Sequence, residues 1–323
     1  MGQTKSIRSS TKIALVTGAS AGIGLATARR LAALGMRVAL VARTEKTLRS
    51  AAEELDGEAF VCDMNDLPSV AALPGRVVER MGALDVVVNN AGLHCRGPFL
   101  SIEPLALVDM ITVNLAAPVV LCRAAVPLLR KPGSIVNVAS LAGMVPNRLL
   151  AVYGASKAGL RSFSRALRDE LAGSGVSVSV VSPSAVDKGL SGEELEREAD
   201  VVFSQPMSTT EEVAGAIVRC IEEGTREIVL PWLSGKLCTL GYLSPTLTSI
   251  LRPAIEKRGA RNKRAYIQRR RSLTDHFAGD HRSHLRSHGS GDEDQAGGPL
   301  DHIRYSVEMR TSNEVLRPGG SRE

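Results

Sequence analysis

The sequence predicts a doubly wound α/β fold, in which helices cover both faces of a seven-stranded parallel sheet. Seven short β-rich runs are continuously apolar rather than alternating, which is typical of strands buried on both faces. Longer stretches of helical period separate the runs, as crossovers between parallel strands require. The chain has 323 residues, 44% of them hydrophobic and only 3% aromatic. It is therefore long enough to bury such a core and must build it from aliphatic side chains.

The predicted elements alternate regularly along the first 231 residues. The strands are IALVT (13–17), VALVA (38–42), AFVC (59–62), VVVN (86–89), SIVNVAS (134–140), VSVSVV (176–181) and EIVL (227–230). The helical patterns cover 23–34, 46–55, 67–80, 105–129, 153–172 and 210–222. Pro118 is expected to break the fourth helix, because proline donates no backbone N–H and clashes with the preceding turn.

Composition divides the chain into four segments. We expect a flexible N-terminus (1–10), a catalytic α/β domain (11–231), an apolar-then-basic extension (232–271) and a disordered tail (272–323). The uncharged run 237–251 is 15 residues long, short of the about 20 that a spanning helix needs. Two interpretations of 232–271 stay open: a flap over the substrate cleft, or a segment that lies on a membrane surface.

Charge and cysteine content limit which partners the protein can bind and in which compartment it is expected. Residues 257–323 hold 14 of the 40 Lys+Arg and 9 of the 34 Asp+Glu, so the net charge of +6 lies mostly in the tail. The body is nearly neutral, which argues against nucleic-acid binding. The tail holds five of the six histidines, but without acid or thiol partners at firm spacing no metal site is predicted. Five cysteines without a CxxC pair, and the lack of an apolar leader, predict a cytoplasmic protein.

A glycine-rich turn, TGASAGIG (17–24), follows the first predicted strand and opens a helix. Glycines at such a turn let the backbone approach a pyrophosphate, and the helix N-terminus favours its charge. The pattern predicts a dinucleotide-binding (Rossmann) site. Its cofactor-binding residues are Gly18, Ser20, Gly22, Ile23 and Gly24.

The end of the second predicted strand indicates which dinucleotide binds. NAD sites usually offer a carboxylate here to the ribose 2′-hydroxyl, but the chain has none at positions 40–44. Arg43 can instead pair with a 2′-phosphate. We therefore expect NADP, with NAD less favoured; the alternative is an ordinary surface arginine.

The stretch YGASK places Tyr153 and Lys157 four residues apart. On a helix these positions share one face, so the ammonium can approach the phenol. Such a cation would lower the tyrosine pKa toward neutrality and suit it to proton transfer. The alternative is a half-exposed helix face on which the two side chains never meet.

Six motifs in one order resemble the short-chain dehydrogenase/reductase family over residues 11–231. They are TGASAGIG (17–24), CD (62–63), NNAG (89–92), Asn114 in TVNL, Ser140 ending NVAS, and YGASK (153–157). The resemblance implies that Tyr153 exchanges a proton with the substrate oxygen while Ser140 polarises the carbonyl. Lys157 would lower the Tyr153 pKa and hold the nicotinamide ribose, and Asn114 would support a proton relay.

The resemblance also implies cofactor contacts and an assembly. Asp63 would bind the adenine amine, and Asn90 of NNAG would brace the sheet beside the adenosine. Pro183 begins a turn where the family usually continues with Gly and then Thr; here Ser184 and Lys188 replace them, which puts the cofactor geometry in doubt. Homodimers or homotetramers would form through the helices at 105–129 and 153–172.

The expected substrate is a lipophilic ketone or secondary alcohol. It would be bound by loops that carry mostly apolar residues: His94, Cys95, 141–147, Leu190, Val201, Phe203 and Met207. We interpret His94 as a loop residue at the pocket mouth rather than a catalytic group. Two rival functions remain: a catalytically silent NADP-binding module, and a peripheral membrane reductase of lipid ketones.

Overall fold

The protein is described from a computed structural model, which describes residues 11–186 and 198–287. A parallel sheet of seven strands lies at its centre, in the order β3-β2-β1-β4-β5-β6-β7. The strands are β1 (Ile13–Thr17), β2 (Arg37–Ala42), β3 (Glu58–Val61), β4 (Val86–Asn89), β5 (Gly133–Val138), β6 (Val176–Pro183) and β7 (Glu227–Leu230). The order reverses direction between β1 and β4, so a crevice opens beyond the carboxyl ends of these two strands. The predicted fold class is confirmed.

Helices cover both faces of the sheet. They are α1 (Gly22–Ala33), α2 (Glu45–Glu54), α3 (Leu67–Met81), α4 (Pro104–Ile111), α5 (Ala117–Ala125), α6 (Ala151–Glu170), α7 (Thr210–Glu223), α8 (Trp232–Leu243) and α9 (Pro245–Ser287). One apolar cluster joins α1, α2 and α7 to one sheet face. A second joins α3, α5 and α6 to the other. The two clusters are the core that the continuously apolar strands predict.

The predicted break at Pro118 is wrong. The chain passes from α4 through a π-helical turn, Thr112–Ala116, directly into α5. The wider turn just before Pro118 leaves room for the proline ring. It also accommodates the backbone hydrogen bond that proline cannot donate. Among the described residues, Pro104–Leu128 is the one helix long and apolar enough to cross a membrane by length and composition. Its residues Val113, Ala117 and Leu121 pack on the sheet, as in the core helix of a globular protein.

The C-terminal extension is helical. The segment up to Arg270 forms one compact unit, and α8 packs on β7 with Gly235 against Val229. The helix α9 continues to Ser287, whereas the composition predicted a disordered tail from residue 272. Low apolar content alone does not oppose a helix, and residues 254–287 contain no proline. Residues 1–10 and 288–323, for which flexibility was also predicted, lie outside the described residues.

Candidate active site

The turn between β1 and α1 is shaped by three glycines. Gly18 and Gly22 have φ angles of 66° and 56°, which side-chain-bearing residues rarely adopt. A Cβ on Gly24 would lie 2.1 Å from the Gly18 carbonyl oxygen, so only glycine lets α1 approach β1 this closely. The backbone at the start of α1 is thereby left open to a phosphate group.

One end of a cleft lies beside this turn, at the carboxyl ends of β1, β2 and β3. Gly18, Ser20, Arg43 and Asp63 line it. Arg43 is exposed just before α2, and the Asp63 carboxylate accepts a hydrogen bond from the Asn65 N–H at 2.9 Å. This end therefore offers an open glycine turn, a guanidinium and a carboxylate. Groups of these kinds can contact the adenosine half of a dinucleotide.

The other end of the cleft holds the predicted catalytic side chains. Ser140, Tyr153, Lys157, Ile23, Asn90 and Pro183 line it. The two ends share Gly92 and Leu93, so they form one continuous cleft. Asn90 also ties it to the glycine turn, because its side-chain amide donates to the Thr17 carbonyl oxygen at 2.9 Å.

Lys157 is buried and positioned from two sides. Its ammonium donates to the Val138 carbonyl oxygen at 2.8 Å, at the end of β5. A Cβ on Gly92 would lie 3.5 Å from Lys157 Nζ and 3.3 Å from Asn114 Oδ1, so both groups border the same small space. The Val138 carbonyl oxygen and the space beside Gly92 thus fix the position of the Lys157 ammonium in the cleft.

Asn114 stands behind the cleft, in the π-helical turn. Its Oδ1 accepts from the Leu93 N–H at 2.7 Å, and its Nδ2 donates to the Leu93 carbonyl oxygen at 2.9 Å. Nδ2 also lies 3.1 Å from Ser156 Oγ, on α6. Because π-helical turns re-aim side chains, this distortion brings Asn114 to both the loop after β4 and the catalytic helix.

The Tyr153 pKa does not move toward neutrality, as was predicted from Lys157, but in the opposite direction. Burial raises the pKa of Tyr153 above its ordinary value, and a hydrogen bond from Ser140 opposes the rise without cancelling it. The Glu198 carboxylate raises the pKa further, while Arg96 lowers it. Desolvation therefore dominates, and Tyr153 is a protonated donor at neutral pH.

Two polar residues near Tyr153, Arg96 and Glu198, were not assigned to the site from sequence, whereas His94 was expected at the pocket mouth. The His94 ring stacks on the Tyr153 ring with centroids 4.4 Å apart. Arg96 Nε donates to Glu198 Oε2 at 2.7 Å, and both residues line the pocket. Arg96 and Glu198 are 102 positions apart, so no local motif could have paired them. The walls are thus less uniformly apolar than predicted.

The C-terminal extension supplies part of the pocket wall. Cys238 of α8 and Tyr266 of α9 line the pocket, and the Tyr266 ring lies 5.8 Å from that of Phe203. Lys263 Nζ donates to the Glu198 carbonyl oxygen at 2.6 Å. Residues of α9 thus contact the segment 198–204 that borders the substrate end.

Ten of the thirteen sequence-predicted site residues line the cleft. The other three, Gly22 and Gly24 in the glycine turn and Asn114 in the π-helical turn, are not among the lining residues. Ser184 Oγ lies 2.9 Å from the Pro206 carbonyl oxygen and 3.0 Å from Ser208 Oγ, so it ties the turn after β6 to residues 206–208. Lys188 and Leu190 lie outside the described residues.

Comparison with known proteins decides the family. The model of the short chain dehydrogenase family matches residues 12–199. The chain belongs to the short-chain dehydrogenase family. It is therefore an oxidoreductase that uses a nicotinamide dinucleotide.

Individual relatives extend the likeness. A putative ketoacyl reductase of the granaticin polyketide synthase from Streptomyces violaceoruber is 41% identical over 54% of this chain and 68% of its own. Ketoacyl reductase HetN from Nostoc is 33% identical over 73% and 86%. A Burkholderia cenocepacia short chain dehydrogenase crystallised with NADP is 29% identical, with a TM-score of 0.62 over 68% of this chain and 95% of that one.

Proposed function

We propose that the protein interconverts a carbonyl and a secondary alcohol with NADP(H) as cofactor. The observation that carries this proposal is that Tyr153 lies with Ser140 and Lys157 in a cleft continuous with the glycine turn. An acid beside a dinucleotide site is what carbonyl reduction needs, because the oxygen must gain a proton as the carbon gains a hydride.

Each side chain has a role in this mechanism. Ser140 orients the substrate oxygen and donates a hydrogen bond to it, which polarises the carbonyl. Tyr153 transfers its proton to that oxygen in reduction and takes it back in oxidation. Lys157 would hold the ribose hydroxyls, and Asn114 fixes the loop beside it. The bound nicotinamide supplies or accepts the hydride.

The preference for NADP rests on Arg43. Arg43 lines the adenosine end of the cleft together with Thr44 and Ser20, and residues 40–44 contain no carboxylate. A guanidinium can bind a 2′-phosphate through paired charge-assisted hydrogen bonds. Similar solved structures were crystallised with NADP and NADPH, which supports the same choice.

The substrate is a lipophilic ketone, and ketoacyl compounds are the first class to test. The pocket walls are largely aliphatic or aromatic, with Leu141, Val145, Leu150, Val201, Phe203 and Met207 among them. Arg96 and Glu198 pair with each other at 2.7 Å, so their opposite charges offset each other in the described part of the wall. Curated relatives are named as ketoacyl reductases.

We expect an oligomeric assembly and a cytoplasmic location. A homodimer or homotetramer would cover the apolar side chains that α4 leaves exposed. The extension α8–α9 would act as a flap that closes the substrate end. The five cysteines are unpaired, which fits a reducing cytoplasm.

Oxidation of NADPH by a panel of apolar ketones and ketoacyl thioesters tests the function. We expect turnover that falls by about a thousandfold in Tyr153→Phe, since general acid catalysis contributes roughly 10²–10⁴-fold. Binding of NADPH, followed by its fluorescence, should persist in the variant. Turnover equal to that of the wild type, or a folded protein that binds no dinucleotide, would contradict the proposal. A protein that binds NADPH but reduces none of the panel would favour the silent NADP-binding module.

A further inference from the structure

The helices α8 and α9 expose an unusual amount of apolar surface. Of the 17 large hydrophobic residues exposed among the described part of the chain, nine lie between residues 232 and 255. Isolated exposed leucines are ordinary, but a cluster of this density marks an interaction surface.

On α8 five of the six large exposed apolar residues form one stripe, and the sixth, Tyr242, lies on the other side of the helix. Trp232, Leu233, Leu237, Leu240 and Leu243 lie within about 140° of the helix circumference at 100° per residue. The opposite side of the helix carries Ser234, Gly235 and Cys238, which are buried against the body. The stripe therefore faces away from the protein, and Trp232 is 69% exposed on it.

On α9 the exposed face is cationic. Lys257, Arg258, Arg261 and Arg264 are exposed and follow each other at spacings of one or three residues, on the same face as Ile250. The opposite face carries Gly259, Asn262 and Tyr266, which contact the pocket segment. Between Trp232 and Arg269 the sequence contains nine acidic or basic residues, of which only Glu256 is acidic.

The geometry points to the exposed faces of α8 and α9 as a docking surface for an anionic lipid bilayer. Aliphatic side chains with an exposed tryptophan suit the boundary between headgroups and acyl chains. A row of basic residues adjoining them in sequence matches the negative charge of such a surface. A second copy of this chain would place the cationic row against itself. The proposal stands independently of the reaction, since it uses no residue of the cleft.

Binding of the full chain to lipid vesicles tests this surface. Vesicles of phosphatidylcholine alone are compared with vesicles that also contain phosphatidylglycerol, by flotation and at two ionic strengths. We expect binding only to the anionic vesicles. It should weaken when salt rises from about 0.1 M to about 1 M, because the Debye length falls from about 10 Å to about 3 Å.

Matched variants locate the surface. Leu240→Glu is compared with Leu34→Glu, since the two leucines are 54% and 52% exposed. Arg258→Glu/Arg261→Glu is compared with Lys12→Glu/Arg219→Glu, which makes the same change in net charge elsewhere on exposed residues. The first variant of each pair should bind anionic vesicles at least about tenfold more weakly, given about a fivefold contribution per basic residue. The second of each pair should bind as the wild type does.

Three outcomes would overturn the inference. These are no binding to anionic vesicles, equal binding by both members of a pair, or an oligomer that dissociates in Leu240→Glu by sedimentation velocity. Turnover of NADPH with a soluble ketone is measured on every variant. Loss of turnover with vesicle binding intact bears on the proposed reaction and leaves the docking surface standing.

Discussion

At the scale of single residues, the charge state of Tyr153 determines whether its hydroxyl can donate a proton without prior activation. Its ring is enclosed by His94 on one side, and burial raises its pKa. A phenol that keeps its proton at neutral pH can donate to a carbonyl oxygen without prior activation. The same burial works against oxidation, which must begin from the phenolate.

A difference titration of the protein without cofactor tests this charge state. Phenolate absorbance is followed in the wild type and in Tyr153→Phe, over the range in which circular dichroism shows a folded chain. Because burial raises the pKa above the ordinary value of 10.0, the step missing from the variant should lie above pH 10. Lys157→Met should leave that step in place. A Tyr153-dependent step near neutral pH, abolished in Lys157→Met, would contradict this account and restore the expectation drawn from the sequence.

Arg43 makes a second prediction at this scale. Replacing it with serine removes the guanidinium from the adenosine end, so kcat/KM for NADPH should fall about 10- to 100-fold. This is the loss of roughly 1.5–3 kcal/mol that a charged hydrogen-bond partner contributes. The value for NADH should change less than threefold. Arg49→Ser is the control, because Arg49 pairs with Glu45 on the exposed side of α2. Equal losses with both cofactors would show that Arg43 does not read the 2′-phosphate.

At the scale of elements, α9 holds the segment 198–204 through contacts of several kinds. Asn262 donates to the Phe203 carbonyl oxygen at 2.9 Å, and Lys263 lies 3.3 Å from the Asp200 carboxylate. Gly259 is buried where a Cβ would come within 2.0 Å of the Asp200 carbonyl oxygen. The helix and the pocket segment can therefore meet this closely only because residue 259 lacks a side chain.

Gly259→Ala tests whether α9 positions the substrate pocket. Alanine favours the helix itself by about 1 kcal/mol, so the change should preserve α9 while pushing it from residue 200. We expect KM for the ketone to rise about tenfold, while kcat and the Kd for NADPH stay within about threefold. The control is Ala265→Leu, which adds a side chain on the exposed side of the same helix. If KM stays unchanged in Gly259→Ala, α9 does not shape the pocket.

The elements also show what the sequence could and could not predict. Seven strands were predicted because a buried parallel strand can be recognised locally in the sequence, as an unbroken apolar run. The cleft was predicted because its residues sit in short motifs at strand ends. The Arg96–Glu198 pair and the contact of Gly259 with Asp200 have no local sequence signal, since each joins segments that are distant in the chain. The Tyr153 pKa was misjudged for a related reason: spacing places Lys157 nearby but does not measure desolvation.

At the scale of the whole molecule, two helices within the described part of the chain expose apolar surfaces. One is the stripe on α8, which continues into a cationic helix. The other lies on α4, where Leu105 is 75% and Val108 is 58% exposed, three residues apart on one face. This second surface adjoins no comparable row of basic residues: Pro104–Leu128 contains only Arg123 and Asp109 as charged residues. An apolar face that carries a carboxylate and no row of basic residues suits a second copy of the chain better than an anionic membrane.

Sedimentation velocity on Leu105→Glu/Val108→Glu tests the assembly. Burying two such side chains contributes about 1.5–3 kcal/mol each per protomer, and a symmetric interface would lose both on each side and gain facing carboxylates. We therefore expect the mass of the species in solution to halve at micromolar concentration. Leu34→Glu and Leu240→Glu should keep the wild-type mass, because neither lies on α4. A wild type that is already monomeric, or a double variant with unchanged mass, would remove α4 as the interface. Dissociation in Leu240→Glu instead would assign the α8 stripe to self-association, so these variants decide between the two surfaces.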